Sequence, residues 1–280
     1  MPELPEAETI VRGLRPAIVG RRIRCIDVVH ADVLRQPARS FADMVRGASI
    51  VAVERRGKNV IIQLDRDRVV AVNLGMTGRL LPVTGRARGE WSHPAVRFRF
   101  HGGGVLVFDD TRRFGTVECL TREQWEARSA RMGPEPLEPS FTARALHDAL
   151  SASRAPVRSW LLDQRKIAGV GNIYANEALH LAGIHPKRQA RDIDRARAAA
   201  LHRGIRRVLS DAIGAGGTTI RDYRTALGEA GSYARRLLVY GRDGSACDRC
   251  GSEIQRTVFG GRSAFFCPVC QPEDRGAKCA

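Results

Sequence analysis

The residues best suited to chemistry sit at the two ends of the chain. At the start, Met-Pro-Glu-Leu-Pro-Glu places a proline at position 2. Proline is small enough to permit removal of the initiator methionine, which leaves Pro2 as a free secondary amine. Such an amine attacks aldehydes, and α-amino groups titrate near pH ~7.7–8.0, so much of it is unprotonated at neutral pH. Glu3 and Glu6 supply carboxylates within reach of that nitrogen. The same stretch also reads as an ordinary helix start. Pro5 suits the first helical position, Glu6 and Glu8 suit the positive end of the dipole, and Ala7, Val11, Leu14 and Ile18 form an apolar stripe. On these residues alone both readings stand.

At the other end, Cys247-x2-Cys250 and Cys267-x2-Cys270 are separated by sixteen residues. Each pair can turn two thiolates onto one ion, and two pairs complete a tetrahedron, so the spacing predicts one structural Zn2+. Four sulfurs leave no open position for water, and the metal is expected not to be catalytic. Between the pairs, 254–259 and 263–266 read as strands around Gly260-Gly261-Arg262, a hairpin with Arg262 at its tip. Cys25 and Cys119 lie singly in apolar segments and read as core residues. Seven cysteines, an odd number, without a secretory signal argue for a reducing cytoplasm over a disulfide scaffold.

The chain as a whole narrows the partner. Its 280 residues include 46 Lys and Arg against 30 Asp and Glu, a net charge of +16, with arginine dominating. A surplus of that size points to a polyanion, and arginine suits bidentate phosphate contact. No long apolar run or basic amphipathic anchor supports a membrane partner. At 43% hydrophobic the chain is globular and long enough for two domains.

The elements that must position these residues follow from periodicity. A helix is predicted at 6–19, then short Val- and Ile-rich strands at 22–29, 49–54, 59–64, 69–74, 95–100 and 104–109. In 95–100 the alternation puts Arg97 and Arg99 on one face and apolar residues on the other. Such strands suggest an antiparallel sandwich or barrel. Helices are predicted at 121–131, 142–151, 156–166, 173–182 and 192–213, with a Pro-rich connection at 133–139 and a long polar loop at 218–233. The fold class is therefore α+β.

Taken together, Met-Pro-Glu-Leu-Pro-Glu, Gly57-Lys58, Leu74-Gly75-Met76-Thr77-Gly78, Asp110-Thr111-Arg112-Arg113-Phe114-Gly115, Gly169-Val170-Gly171-Asn172-Ile173-Tyr174 and the four-cysteine hairpin resemble the formamidopyrimidine-DNA glycosylase family. The resemblance runs from residue 2 to about 271. It implies a catalytic β-sandwich domain at 1–132, a helical domain with a helix-two-turn-helix element at 133–236, a zinc finger at 237–271 and a tail at 272–280. A lesion loop is implied at 216–233. It also implies excision of oxidised purines (8-oxoguanine and formamidopyrimidines) from double-stranded DNA, followed by β,δ-elimination at the abasic site. The setting would be the bacterial cytoplasm at the nucleoid, and the protein a monomer.

Residue by residue, the resemblance assigns Pro2 as the Schiff-base nucleophile and Glu3 as proton donor to the sugar ring oxygen. Glu6 would orient Pro2 and the sugar. Lys58 would donate a proton in β-elimination, and Arg262 would stabilise phosphate in δ-elimination. Met76 and Phe114 would wedge the duplex, Arg112 would pair with the orphaned cytosine, and His93, Asn172 and Arg154 would contact the backbone. Departures from the family pattern are Ser92-His93-Pro94, Asn59, the stretch 227–232, and a tail containing Cys279. Two other readings compete: an endonuclease VIII-like enzyme acting on oxidised pyrimidines, and a non-catalytic zinc-ribbon DNA-binding protein.

Overall fold

The computed structural model describes residues 2–83, 91–220 and 223–273. The chain divides into two compact units, residues 1–131 with 212–234 and residues 132–211 with 235–280. The loop at 216–233, read in sequence with the helical segment, thus packs within the first unit.

In the first unit Leu4–Ile18 forms helix α1. Its apolar face, Ala7, Ile10, Val11, Leu14 and Ile18, is fully buried. Each large apolar side chain so buried contributes roughly 1.5–3 kcal/mol, so packing rather than helix propensity fixes α1 in place. There follow β1 (Ile23–Val28), α2 (Ala38–Val45), β2 (Ile50–Arg56), β3 (Asn59–Leu64), β4 (Arg68–Asn73), β5 (Arg79–Val83), β6 (Pro94–Phe100), β7 (Val105–Asp109), β8 (Thr116–Thr121) and α3 (Arg122–Ser129). One antiparallel sheet runs β1-β6-β7-β5 and the other β2-β3-β4-β8. A single core joins α1 to both sheets through Ile10, Leu14, Val53, Ile62, Phe98 and Phe108. This is the sandwich expected, and β6 keeps its arginines on the face away from the core.

Three elements lie outside the predicted set. β5 contains Pro82 and β8 contains Glu118, and both are edge strands, where a missing N–H or a charge is tolerated. α2 is short and buries only Phe41 and Val45, too few residues for a clear period. α3 begins one residue later than predicted because Thr121 is its N-cap: its hydroxyl accepts from Gln124 N–H, and the Gln124 side chain accepts from Thr121 N–H.

The second unit contains α4 (Ala143–Ser151), α5 (Val157–Leu162), α6 (Asn172–Ala182), most of α7 (Arg195–Gly214), and the hairpin β9 (Gln255–Phe259) and β10 (Arg262–Phe266). α5 stops four residues short of its predicted end, since Asp163 turns to accept the Arg165 N–H. α7 starts late because Asp194 accepts from Arg197 N–H at its N-terminus. In the hairpin Phe259 pairs with Arg262, leaving a two-residue turn of Gly260 (φ 60°) and Gly261 (φ 71°). Two consecutive left-handed residues favour glycine. Arg262 is therefore the first residue of β10, correcting its expected place at the tip.

Candidate functional site

The N-terminal mount is built by a reciprocal capping box. Glu3 is the N-cap of α1; its carboxylate faces the Glu6 N–H, and Glu6 Oε2 accepts from Glu3 N–H at 2.8 Å. Pro2, Glu3 and Glu6 are all buried. The resemblance implies that Glu6 orients Pro2. Its Oε1 also accepts from Thr218 N–H at 2.7 Å, so it fixes the backbone next to Pro2 and the start of the 216–233 loop together. Gly217 (φ 87°) makes that approach possible, since a Cβ there would lie 2.9 Å from the Tyr223 ring and 3.1 Å from Glu6 Oε1. Tyr223 donates its hydroxyl to Gly216 O at 3.1 Å and packs with Ala226 into the core. Burial first, then the Glu6 charge, raises the Tyr223 phenol well above its usual range and keeps it a donor. Within this loop, 221–222 lie outside the described residues, as do Met1 and the tail at 274–280 with Cys279.

Lys58 occupies the two-residue turn between β2 and β3, after Gly57 with its φ of 57°. Arg55 ties this turn to α1: it donates to Gly57 O at 3.1 Å and pairs with Glu8 at 3.1 Å. Burial works against the Glu8 charge, but Arg12 and Arg55 hold its carboxyl below the usual range. Lys58 and Pro2 are thus carried by one braced segment pair.

Met76 and Phe114 are 39% and 57% exposed, which removes core packing as their explanation. Arg112 stacks its guanidinium over the Phe114 ring at 4.6 Å. His93 is exposed; its N–H donates to Asp109 Oδ1 at 2.6 Å, and its Nδ1 meets Ser92 Oγ at 2.8 Å and Thr111 Oγ1 at 3.3 Å. The unusual Ser92 thereby supplies a partner for the imidazole.

In the second unit Asn172 opens α6. Its Nδ2 donates to Ser263 O at 3.0 Å and its Oδ1 accepts from Arg158 Nη2 at 2.6 Å. The side chain therefore locks α6 to β10. Arg158, 1% exposed in the first turn of α5, also donates to Ser263 O at 2.7 Å and lies 4.8 Å over the Phe259 ring. Burial, then the nearby Arg262 charge, lowers its pKa to about 10, so it stays protonated at neutral pH. Arg262 is exposed beside it, and Arg154 is exposed between α4 and α5.

The four cysteine sulfurs lie within 4.8 Å of one another, with Cys250–Cys267 at 3.4 Å and Cys247–Cys270 at 3.9 Å. A zinc–sulfur distance of about 2.3 Å gives a tetrahedron edge of about 3.8 Å, so the donor set fits Zn2+. Gln271 accepts from Cys267 N–H at 3.0 Å and donates to Ile184 O at 2.9 Å, holding the second knuckle against the helix end. Glu177, fully buried in α6, accepts from Leu238, Val239 and Tyr240 N–H at 2.7, 3.0 and 2.9 Å and anchors the turn that leads into the zinc site.

Sequence reading missed Arg158, Glu177, Asp110, Thr77 and Tyr223 as supports. Arg158 and Glu177 carried a usable signal: each is the one Asp, Glu, Lys or Arg in its helix. Among the described residues no helix is long and apolar enough to cross a membrane.

Comparison with known proteins places this geometry. The family model for the formamidopyrimidine-DNA glycosylase N-terminal domain matches residues 1–117, its H2TH domain matches 132–224, and the zinc finger found in FPG and IleRS matches 244–272. Formamidopyrimidine-DNA glycosylases of Chloroflexus aggregans and Thermomicrobium roseum are 43% and 44% identical, covering 97% of this chain and 98% and 99% of theirs. A Lactococcus lactis Fpg mutant in complex with Fapy-dG-containing DNA superposes with a TM-score of 0.90 at 35% identity, covering 97% of this chain and all of that one. The MutM (Fpg) protein of Thermus thermophilus gives 0.87 at 37%, with 97% and 99% covered.

Proposed function

This chain belongs to the formamidopyrimidine-DNA glycosylase family, and from that premise we propose how its own residues carry out the reaction. It is a bifunctional DNA glycosylase and abasic-site lyase of base-excision repair that removes oxidised purines from duplex DNA. Pro2 attacks C1′ of the damaged nucleotide: the N–C1′ bond forms and the bond to the base breaks. Glu3 protonates the departing ring oxygen, leaving an iminium on the opened sugar. Because the nitrogen is secondary, the adduct is cationic and acidifies C2′. A C2′ proton passes to water, the C2′=C3′ bond forms and the 3′ C–O bond breaks as Lys58 donates a proton to the departing phosphate, and a second elimination releases the 5′ phosphate. Arg262 stabilises phosphate charge with its guanidinium fork. Met76 and Phe114 fill the space left by the everted base, and Arg112 donates to its widowed partner. His93, Arg154 and the start of α6 at Asn172 hold phosphates. Zinc on the four cysteines keeps the hairpin folded. With such a substrate the working place is the cytoplasm, on the nucleoid.

The observation that carries this reading is the capping box that buries Glu3 and Glu6 beside Pro2. It predicts that Glu3→Gln slows excision of 8-oxoguanine by roughly 10²–10⁴-fold. Cleavage of a preformed abasic site, which has no base to expel, is largely kept. Equal loss on both substrates would remove Glu3 from the excision step.

A second reading concerns range, because Lactococcus lactis Fpg has also been crystallised on DNA containing an oxidised pyrimidine, at a TM-score of 0.89. Duplexes with single defined lesions decide it. Excision of 8-oxoguanine opposite cytosine is expected to outpace thymine glycol, and the reverse ranking would favour the pyrimidine enzyme.

A further inference from the structure

We propose that Asp110 and Thr77 are positioning residues, a buried strut that sets Met76, Arg112 and Phe114 at fixed spacing so that they enter the duplex as one wedge. This rests on the reading of those three side chains as the wedge. They come from two turns far apart in sequence, one after β4 and one after β7.

Asp110 is 1% exposed and Thr77 9%, so both side chains are turned inside the protein. Asp110 Oδ1 accepts the Thr77 hydroxyl and, at 3.3 Å, the Arg112 N–H; Oδ2 accepts the Gly115 N–H at 2.8 Å. Thr77 Oγ1 in turn accepts the Arg112 N–H at 3.1 Å. The Asp110 N–H donates to His93 O at 3.0 Å, so the segment read as a phosphate contact is tied to the same residue.

The backbones interlock as well. Gly75 (φ 59°) lies so close to the second turn that a Cβ on it would be 2.5 Å from Gly115 N and 2.6 Å from Phe114 C. Arg113, between the two wedge residues, holds a φ of 54°, a left-handed conformation that non-glycine residues keep only where the surroundings impose it. Asp110 binds the N–H groups on both sides of that residue, at 112 and 115. Met76 and Phe114 are exposed and Arg112 stacks on the Phe114 ring, so the two turns fix where all three point, and where geometry sets the rate a misplacement of about 1 Å can cost on the order of 10²-fold.

The substitutions that test this are Thr77→Val, which keeps the shape and removes the hydroxyl, Thr77→Ser, which restores it, Asp110→Asn, and Phe114→Ala. Single-turnover excision of 8-oxoguanine is measured in a fully paired duplex and in the same duplex with unpaired bases around the lesion, where little opening is needed. Local opening is followed by 2-aminopurine fluorescence beside the lesion.

For Thr77→Val and Asp110→Asn, excision and the fluorescence rise in the paired duplex are expected to slow on the order of tenfold, the effect of leaving a buried partner unsatisfied. The unpaired duplex is expected to be cut at near wild-type rate, and Thr77→Ser to recover the paired duplex. Equal slowing on both substrates would mean the network only stabilises the fold. Wild-type rates in Thr77→Val with slow excision in Phe114→Ala would overturn the strut and leave the wedge standing. Wild-type rates in Phe114→Ala would overturn the wedge reading, and the strut with it.

Discussion

Protein that retains a residue in front of Pro2 is expected to form no borohydride-trapped adduct with lesion DNA and to lose excision by at least about 10³-fold. The reason is electronic. An amide nitrogen shares its lone pair with the carbonyl and cannot attack C1′, whereas the free secondary amine can. The surrounding geometry is left nearly intact, because α1 is held by its buried apolar face and by the Glu3–Glu6 capping box, not by the amine. Duplex affinity should therefore change little, which separates this effect from misfolding. Intact mass distinguishes processed from unprocessed protein in one preparation, and trapping of each is then compared. An undiminished adduct in the blocked form would place the nucleophile elsewhere, with Lys58, on the turn braced to α1 by Arg55 and Glu8, as the next candidate.

Removal of the metal should act on binding before chemistry. A structural zinc site of this type supplies about 10–16 kcal/mol, comparable with or above the roughly 5–15 kcal/mol that keeps a whole domain folded. The apolar cluster beneath the hairpin, Val239, Ile254 and Phe265 with Cys247 and Cys267, is too small to replace it. Chelation, or Cys267→Ser, is expected to free β9 and β10 and to withdraw Ser263 O from both Asn172 and Arg158. Duplex affinity should fall at least about tenfold, and the dependence of binding on salt should flatten by about one log unit per log salt for each phosphate the hairpin no longer neutralises. Filter binding or anisotropy across a salt series, with metal content checked by mass, tests both. Unchanged affinity in protein shown to be metal-free would detach the zinc site from DNA binding.

The parts of the site that were legible in sequence are those whose spacing is local. Two CxxC pairs specify a tetrahedron within one short stretch, and the stripe along 7–18 specifies which way α1 faces. The proposed wedge and phosphate residues were legible only through resemblance, since an isolated Met76 or Phe114 looks like core until its exposure is known. What stayed hidden are the supports. Thr77 reaches Asp110 across 33 residues, Asn172 and Arg158 meet Ser263 across 91 and 105, and Glu6 meets Thr218 across 212. No periodicity encodes such partners, because each is a single polar contact satisfied by the fold as a whole. The short edge strands escaped for a related reason: β5 and β8 carry residues that a central strand would reject, and only their place at the rim makes them acceptable.

The first unit is discontinuous in the chain, and that has a consequence for its birth. Its core is completed by Tyr223 and Ala226, and one donor to Glu6 is Thr218, all of which follow the whole of 132–211. At ~5–20 residues per second of synthesis, the N-terminal sandwich waits roughly 5–20 seconds after residue 131 for the segment that closes it. Until then a gap remains against α1 beside Gly13, where the Ala226 methyl will sit 2.9 Å from the nearest possible Cβ. Long-range closure of this kind also slows folding from the full-length unfolded chain. Pro2, proposed as the nucleophile, is among the first residues made, yet the partner that anchors Glu6 beside it is made 212 residues after Glu6.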